Sequence, residues 1–250
     1  MAVDFGHAHT NYFSRASSVL SASAPRPMTC CVRYRSGGNA AESNVLSWIY
    51  SNNFGSSAPR FGLAIRDVGG NARLSLYSGN YADGADNVTL STTAHKPCSW
   101  RWDTDDTVDF FYDGSKLPTA GTRAIGGNTT DGAAIGTLTG STGAFDVDGE
   151  LAEFALWAAL LTDDETLAYH AGFSPRLIRP GALQSHVPML TDGGQDTVLG
   201  SWTSNGTLND ADHPPVILPA GPMIGHNSAA VPATFPGELL GRRQNALLRM

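Results

Sequence analysis

The sequence contains few charged residues and few cysteines, and it has no long apolar run. Only 16% of its 250 residues are Asp, Glu, Lys or Arg, and the formal net charge at pH 7 is −7. Because phosphate binding requires a positive field, this charge argues against nucleic acid as a partner. No segment approaches the roughly 18 consecutive apolar residues of a membrane span, so no insertion into a membrane is predicted.

The three cysteines are too few for a disulfide framework. Cys30 and Cys31 are adjacent, so on a strand their side chains point to opposite faces and at most one of them could meet Cys98. The N-terminal residues also lack the basic segment and apolar core of a secretory signal peptide. We therefore expect buried free thiols in a protein that is made in the cytoplasm.

The common catalytic motifs are absent as well. The sequence has no Walker phosphate loop, no Gly-x-Ser-x-Gly nucleophile elbow, no HExxH and no paired CxxC. Phosphoryl transfer, acyl transfer and zinc-dependent proteolysis therefore have no support, and no cofactor is predicted.

Residues 143–173 are the most informative stretch of the sequence. An apolar and aromatic run that ends at Trp157 predicts a strand, with a bend or bulge at Gly149. Residues 162–165, Thr-Asp-Asp-Glu, have the spacing of a capping box that begins a helix, and Gly172 is well placed to end that helix. The rest of the sequence offers no comparable helix.

Short apolar segments separated by polar turns precede this stretch. Met28, Cys30 and the following even-numbered residues alternate with polar ones, which predicts a strand over residues 28–35 with one face in the core and the other largely wet. Trp100 and Trp102 share one side of a second predicted strand. Further strands are predicted over 44–50, 60–66, 72–77, 106–112 and 133–138. Strands spaced in this way are typical of a sandwich or barrel.

The order of these segments resembles that of laminin G-like domains in the concanavalin A-like lectin and glucanase family. Residues 149–165, Gly-x-Leu-Ala-Glu-Phe-Ala-Leu-Trp followed by Ala-Leu-Leu-Thr-x-x-Glu, resemble the closing strand and helix of those domains. Ala152 stands where the family commonly has Asp, and Glu153 keeps the acidic partner. The resemblance covers residues 1–173. It implies an all-β, concanavalin A-like jelly-roll sandwich with one short helix, extended by strands within residues 173–218.

Residues 219–250 differ from the rest in composition. Prolines with Gly and Ala spacers exclude a core element and predict an extended C-terminal arm, whose end is apolar and basic. We expect this arm to dock on another subunit through six residues: Leu239, Leu240, Arg242, Arg243, Leu247 and Leu248. Residues 174–180 and 211–219 resemble the C-terminal continuation of laminin G-like proteins of tailed bacteriophages.

The resemblance implies a non-enzymatic structural protein of a tailed-bacteriophage virion, made in the host cytoplasm. Such a protein would decorate the capsid or tail exterior, anchor to neighbouring virion proteins and form a homo-oligomer. The alternative is a glycan-binding, lectin-like module for attachment to a host surface. In that alternative, Trp100 and Trp102 are the candidate residues for stacking on a sugar ring.

A third hypothesis is glycoside hydrolysis. Asp146, Asp148 and Glu150 alternate along an extended segment, which resembles the catalytic strand of concanavalin A-like glycoside hydrolases. The same carboxylates, or the acidic turn at residues 103–106, are candidate calcium ligands because hard cations prefer clustered oxygens. Solvated loop carboxylates explain the first group better than catalysis does, and acidic residues are common in turns for turn reasons alone, so calcium stays unassigned.

Overall fold

The computed structural model of the chain describes residues 2–6, 11–16, 19–20, 26–38, 45–52, 61–78, 81–84, 86–118, 121–122, 132–137, 147–189 and 196–217. The strands are β1 (Ala2–Gly6), β2 (Tyr12–Arg15), β3 (Met28–Ser36), β4 (Val45–Asn52), β5 (Phe61–Asp67), β6 (Ala72–Tyr77), β7 (Tyr81–Asp83), β8 (Lys96–Trp102), β9 (Thr107–Tyr112), β10 (Ser115–Lys116), β11 (Gly121–Thr122), β12 (Ala133–Ile135), β13 (Gly149–Trp157), β14 (Leu183–Val187), β15 (Thr203–Asn205) and β16 (Asn209–Ala211). The helix α1 spans Asp163–His170, and two short 3-10 helices span Pro175–Leu177 and Pro180–Ala182.

The strands form two antiparallel sheets with an apolar core between them. The first sheet has the order β10-β9-β8-β3-β13-β1-β16, with β11 paired to β9 and β14 paired to β13. The second has the order β15-β2-β12-β4-β5-β6-β7. The predicted all-β sandwich with one short helix is therefore confirmed, and the acidic turn at residues 103–106 connects the paired strands β8 and β9.

The two tryptophans of β8 lie in this core. Trp100 and Trp102 share one side of the strand, as predicted, but both side chains are fully buried. The indole nitrogen of Trp100 donates to the carbonyl of Ser75 in the second sheet at 3.0 Å. The ring of Trp102 lies 5.8 Å from that of Phe61 in the same sheet. Neither ring offers a free face to a sugar, so the prediction that they form a glycan-stacking surface is corrected.

The outer face of the first sheet is covered rather than wet. On β3, the residues Thr29, Cys31 and Arg33 are all buried, although their side of the strand was predicted to face solvent. Cys31 packs in a second apolar cluster with Tyr169 of α1, and Arg33 donates to the carbonyl of Tyr169 at 2.8 Å. The elements that cover this face come more than a hundred residues later in the chain, so local alternation could not reveal them.

All three cysteines are buried free thiols, as expected. Cys30 and Cys98 lie in the core between the sheets, whereas Cys31 lies on the opposite face of β3, in the cluster under α1. Burial raises the pKa of the Cys31 thiol to about 12, although a hydrogen bond from Ser99 opposes the shift. The thiol is therefore protonated at neutral pH and is a poor nucleophile.

Helix α1 begins and ends as the sequence predicts. The hydroxyl of Thr162 accepts from the amide of Glu165 at 3.2 Å, and the Glu165 carboxylate accepts from the amide of Thr162 at 2.8 Å. Gly172, with a φ of +104°, directly follows the C-cap residue Ala171. Both ends of the helix are thus capped by residues close to them in sequence.

Among the described residues, no helix is long and apolar enough to cross a membrane.

The last described strands extend both sheets. β15 pairs with β2 in the second sheet, and β16 pairs with β1 in the first, so the Asn205-Gly206 turn between them joins the two sheets. The additional strands predicted after residue 173 are confirmed.

The chain divides into two units, residues 1–219 and 220–250, and the described residues belong to the first. The predicted docking residues all lie outside the described residues: Leu239, Leu240, Arg242, Arg243, Leu247 and Leu248.

Candidate binding site

The candidate site is built around a bulge in β13. Along one edge of this strand, residues 149–151 pair with β1, and residues 154–157 pair with β14. Along the other edge, the register with β3 shifts by one residue between Ala152 and Ala155. Glu153 occupies the gap with a φ of +52°, in the left-handed region that side chains other than Gly rarely adopt. Such a conformation persists only where the surroundings hold it, and it is frequent at functional sites.

Both the backbone and the side chain of Glu153 are held by neighbouring elements. Its carbonyl accepts from the hydroxyl of Tyr169 in α1 at 2.8 Å. The carboxylate oxygens each face an imidazole: Oε2 lies 2.9 Å from Nε2 of His186, and Oε1 lies 3.0 Å from Nε2 of His213. The residue is only 4% exposed. α1, β14 and the C-terminal segment thus converge on one buried acid.

The carboxyl group of Glu153 is ionised at neutral pH. Burial alone would raise its pKa because the charged form loses hydration. Hydrogen bonds and charge interactions with His186 and His213 outweigh this cost and hold the pKa below its ordinary value. Both imidazoles are therefore donors to Glu153 rather than acceptors.

His213 has only oxygen acceptors around its ring. Nδ1 lies 2.6 Å from the carbonyl of Pro214, and Nε2 lies 2.9 Å from the carbonyl of Pro188 as well as facing Glu153. Carbonyl oxygens cannot donate, so each of these contacts is a hydrogen bond only where the ring nitrogen carries a hydrogen. The ring of His213 is thus held between backbone carbonyls and the Glu153 carboxylate.

His186 links Glu153 to an exposed hydroxyl. Because Nε2 of His186 donates to Glu153, Nδ1 is free to accept from the hydroxyl of Thr197 at 3.1 Å. The loop that carries Thr197 is fixed by the buried Asp196. Its Oδ1 accepts from the amides of His186, Val198 and Leu199 at 3.2, 2.7 and 3.0 Å. The Thr197 hydroxyl is thus held in a defined position at the surface.

These residues line an open pocket of about 370 Å³. Its polar lining comes from Glu153, Ser174, Arg176, His186, Thr197 and His213, and its apolar lining comes from Pro188 and Val216. One wall is formed by the segment before Ile217. At Ile217 this segment runs parallel to the chain at Phe173, and backbone hydrogen bonds join the two. The amide of Ser174 donates to Ile217 at 2.9 Å, and the amide of Ile217 donates to Gly172 at 2.6 Å.

Exposed apolar side chains stand next to the pocket-lining residues in the chain. Among the described residues, the exposed large apolar side chains are Phe173, Leu177, Val198 and Ile217. Each of them is the immediate chain neighbour of a residue that lines the pocket. Phe173 is the only aromatic one in this described set and is 41% exposed. The large exposed apolar side chains of the described residues therefore all belong to the segments that line this pocket.

Of the carboxylates that were predicted to bind metal, Glu150 has another partner. It forms an ion pair with Arg35, and Nε2 of His95 lies 3.3 Å from it. Burial and the charge of Arg35 lower the pKa of His95 to about 4. Asp148 is buried, and its carbonyl accepts from the hydroxyl of Tyr34 at 2.7 Å. Asp146 lies outside the described residues.

The acidic turn at residues 103–106 also uses its carboxylates locally. Asp103 accepts from the amide of Thr104 at 2.6 Å, and Asp105 accepts from the amide of Thr107 at 2.9 Å. Asp106 is paired with Arg26. Across the described part of the chain, no group of three His, Cys, Asp or Glu side chains is arranged to hold a metal ion. Calcium binding at either predicted set stays a prediction.

Sequence analysis identified only one residue of this pocket. Glu153 appeared as the acidic partner in the laminin G-like resemblance. His213 lay in the resembling segment 211–219 without a predicted role, and His186 and Thr197 belonged to no motif. The predicted bend or bulge at Gly149 coincides with a φ of +122° and a shift in the register between β13 and β1. The second bulge, at Glu153, was not predicted, and β14, Leu-Gln-Ser-His-Val, gave no pattern that singled out His186.

No protein-family model matches the sequence, and no curated protein matches it. Solved structures match the fold. A native heptameric SAP-like pentraxin from Limulus polyphemus has a TM-score of 0.58 at 16% identity, over 83% of this chain and 93% of that chain. A protein from Bacteroides ovatus ATCC 8483, described as carbohydrate-binding, has a TM-score of 0.58 at 15% identity, over 86% of this chain and 61% of that chain. These similarities show the fold alone, and they confirm the predicted jelly-roll sandwich.

Proposed function

We propose that this chain is a glycan-binding module whose binding site is the pocket around Glu153. The observation that carries the proposal is one pocket that combines hydrogen-bonding side chains with a largely apolar surface and has exposed apolar residues beside it in the chain. Sugars present hydroxyl groups, which need paired donors and acceptors, together with C–H faces that pack on apolar and aromatic side chains. The fold shared with the Bacteroides ovatus protein is consistent with this function.

The polar groups of the pocket are suited to hydroxyl recognition. Each carboxylate oxygen of Glu153 has a second lone pair that can accept from a sugar hydroxyl, since an ionised carboxylate accepts about four hydrogen bonds. The Thr197 hydroxyl is exposed and donates to His186, so its oxygen remains an acceptor for a sugar. Because these groups are already held by neighbouring elements, little conformational entropy is lost on binding.

Phe173 takes the stacking role that the sequence suggested for tryptophans. Its ring is exposed beside Ser174, a residue of the pocket lining, whereas Trp100 and Trp102 are inaccessible. A half-exposed aromatic ring at the edge of a polar pocket provides an apolar face for a sugar ring.

We further propose that the pocket binds a glycan without cleaving it. A retaining glycoside hydrolase needs two carboxyl groups about 5 to 5.5 Å apart, one of them a proton donor. Glu153 is the single carboxylate in the pocket lining, and two imidazoles hold it in the ionised form. Glu150, on the same strand, is tied to Arg35.

A glycan array followed by calorimetry tests the binding proposal. The wild-type chain should bind at least one glycan, and Glu153→Gln should weaken that binding at least about tenfold because a charged acceptor is lost. Thr197→Val changes only an exposed hydroxyl and should also weaken binding while the fold is retained. Asp164→Asn, at the exposed start of α1, is the matched control and should leave binding unchanged. Binding that survives both pocket variants would place the site elsewhere and overturn the proposal.

A structural role in a tailed-bacteriophage virion is the second candidate function. It is supported by the resemblance of residues 174–180 and 211–219 to the continuation of laminin G-like phage proteins. In this proposal, residues 219–250 anchor the chain to a capsid or tail subunit. Deleting these residues should abolish incorporation into particles and leave glycan binding intact, whereas normal incorporation would contradict the docking arm. The predicted homo-oligomer is checked by light scattering on both forms.

A further inference from the structure

One arginine at the pocket differs from the other described cations. Arg176 is exposed and lines the pocket. Among the described residues, its guanidinium makes no hydrogen bond, ion pair or ring contact. Every other described arginine and lysine has an oxygen acceptor: Arg15, Arg26, Arg33, Arg35, Arg66, Arg73, Lys96, Arg101, Lys116 and Arg179. A protein with a net charge of −7 thus leaves one described cation unpaired, and it does so at its candidate site.

The carboxylate of the pocket lining already has partners. Glu153 lies 3.0 Å from Nε2 of His213 and 2.9 Å from Nε2 of His186, and no contact joins it to Arg176. The donors of the Arg176 guanidinium are therefore left without an acceptor among the described residues. An anionic ligand group would supply an acceptor of opposite charge, and such charge-assisted hydrogen bonds are stronger than neutral ones.

The backbone beneath Arg176 is fixed, so its side chain starts from a defined point. The amide of Arg176 donates to the hydroxyl of Ser174 at 3.4 Å, and the amide of Leu177 donates to the Ser174 carbonyl at 2.9 Å. Ser174 itself is held to Ile217 across the pocket wall. Only the side chain of Arg176 has to be ordered when a ligand binds, which limits the entropic cost of the contact.

We infer that the glycan bound in this pocket is an acidic saccharide, whose carboxylate or sulfate group pairs with the guanidinium of Arg176. This inference rests on the proposed function and adds the chemical class of its ligand. The planar guanidinium donates two parallel hydrogen bonds to either group, and the neutral part of the sugar then lies against Phe173 with its hydroxyls toward Glu153 and Thr197.

Matched glycan pairs test the inference on the full chain. Tetragalacturonate is compared with its methyl ester, and a heparin tetrasaccharide with its desulfated form, within an array that also carries neutral glycans. The proteins are wild type, Arg176→Ala, Arg176→Lys and the control Arg73→Ala. The control removes the same charge from the second sheet, where Arg73 bonds Asn87 at the surface.

The wild-type chain should prefer the charged member of a pair, and the pair that shows the preference identifies carboxylate or sulfate as the anion. Arg176→Ala should lower that affinity by about 10- to 100-fold, as expected for a charge-assisted contact. Arg176→Lys should retain part of it, and Arg73→Ala should retain all of it. Raising the ionic strength should weaken binding to the acidic glycan in the wild type more than in Arg176→Ala.

Two results would overturn the inference and are distinguishable. If the chain binds neutral glycans through Glu153 and Thr197, and Arg176→Ala binds them as well as wild type, the glycan-binding function stands and the acidic ligand is wrong. If no glycan of either kind binds the wild-type chain, both the function and the inference fail.

Discussion

The Glu153 carboxylate and the His186 imidazole lie on adjacent antiparallel strands and are joined by a hydrogen bond of 2.9 Å, although 33 residues separate them in the sequence. The bulge at Glu153 makes this contact available because it leaves a gap between the segments of β13 that pair with β1 and β14. His213 reaches the same carboxylate from the C-terminal segment. The site therefore depends on the completed sandwich, and its residues support the fold as well as the proposed function.

Replacing Glu153 with Gln should lower the free energy of unfolding by about 1 to 3 kcal/mol. The variant keeps the shape of the side chain but removes the negative charge that faces His213. Its amide NH₂ group is a donor, so it can face an imidazole N–H, and two donors cannot form a hydrogen bond. Urea denaturation at neutral pH measures the loss. Asp164→Asn should change the midpoint little, because Asp164 is exposed in the first turn of α1. Equal midpoints for wild type and Glu153→Gln would contradict the charge assignment of the pocket.

Phe173 and Trp102 should respond to truncation in opposite ways. Phe173→Ala should change the free energy of unfolding by no more than about 0.5 kcal/mol because the ring is exposed, but it should weaken glycan binding. Trp102→Ala should lower the free energy of unfolding by about 3 to 5 kcal/mol because a fully buried ring is removed from the core. Urea denaturation and calorimetry with the same glycan separate the two effects. A stable Trp102→Ala variant that loses only binding would restore the surface role that the sequence suggested.

Structural features that depend only on residues close in sequence could be predicted. The capping box of Thr162 and Glu165 and the glycine after α1 are of this kind, and so is the alternation on β8 that puts Trp100 and Trp102 on one side. Which side faces the core could not be predicted, because that depends on the second sheet. For the same reason the outer face of β3 was assigned to solvent, although α1 covers it.

The site was less predictable than the fold. Its lining comes from five separate parts of the chain, and no two of the groups that face one another in it are close in sequence. A left-handed conformation is ordinarily expected at Gly or Asn, so sequence alone directs attention to Gly149 rather than to Glu153. Glu153 takes up this conformation because Tyr169, His186 and His213 hold it, and these contacts exist only in the folded chain.

The capping box of α1 should contribute measurably to stability. Thr162→Ala removes the acceptor for the amide of Glu165 and should lower the free energy of unfolding by about 1 kcal/mol. Thr162→Ser keeps a hydroxyl in place and should lose only a few tenths of that amount. Because Tyr169 in the same helix donates to the carbonyl of Glu153, Thr162→Ala should also increase hydrogen exchange near the pocket. An equal loss in both variants would show that packing of the methyl group, rather than capping, is responsible.

The stability of the protein should fall in mild acid because of His170. The amide of Gly114 donates to Nδ1 of His170 at 2.9 Å, so Nδ1 carries no hydrogen and Nε2 donates to the hydroxyl of Ser99 at 2.8 Å. That hydroxyl in turn donates to the sulfur of Cys31 at 3.0 Å. Burial, reinforced by the charge of Arg33, lowers the pKa of His170 from 6.5 to about 3. The folded protein therefore holds this imidazole in its neutral form.

The direction of the pH effect follows from this shift. Above pH 6.5 the imidazole is neutral in both the folded and the unfolded chain, so it adds no pH dependence. As the pH falls below 6.5, the unfolded chain takes up a proton that the folded protein does not bind until about pH 3, and stability is lost throughout this interval. Between about pH 7 and about pH 4.5, the loss from this one group is on the order of 2 to 3 kcal/mol.

Urea denaturation at these two pH values measures the contribution of His170. His170→Gln removes the titrating group and should be less stable at neutral pH, because the buried imidazole and its hydrogen bonds to Gly114 and Ser99 are lost. The stability of this variant should then fall less than that of wild type on acidification. Glu153 and His95 add the same pH dependence to both proteins, so the difference reports on His170. Ser99→Ala is the matched control, because it loses a hydrogen bond but keeps the imidazole and should keep the full pH dependence. If His170→Gln and wild type lose the same free energy between the two pH values, another group is responsible for the acid sensitivity.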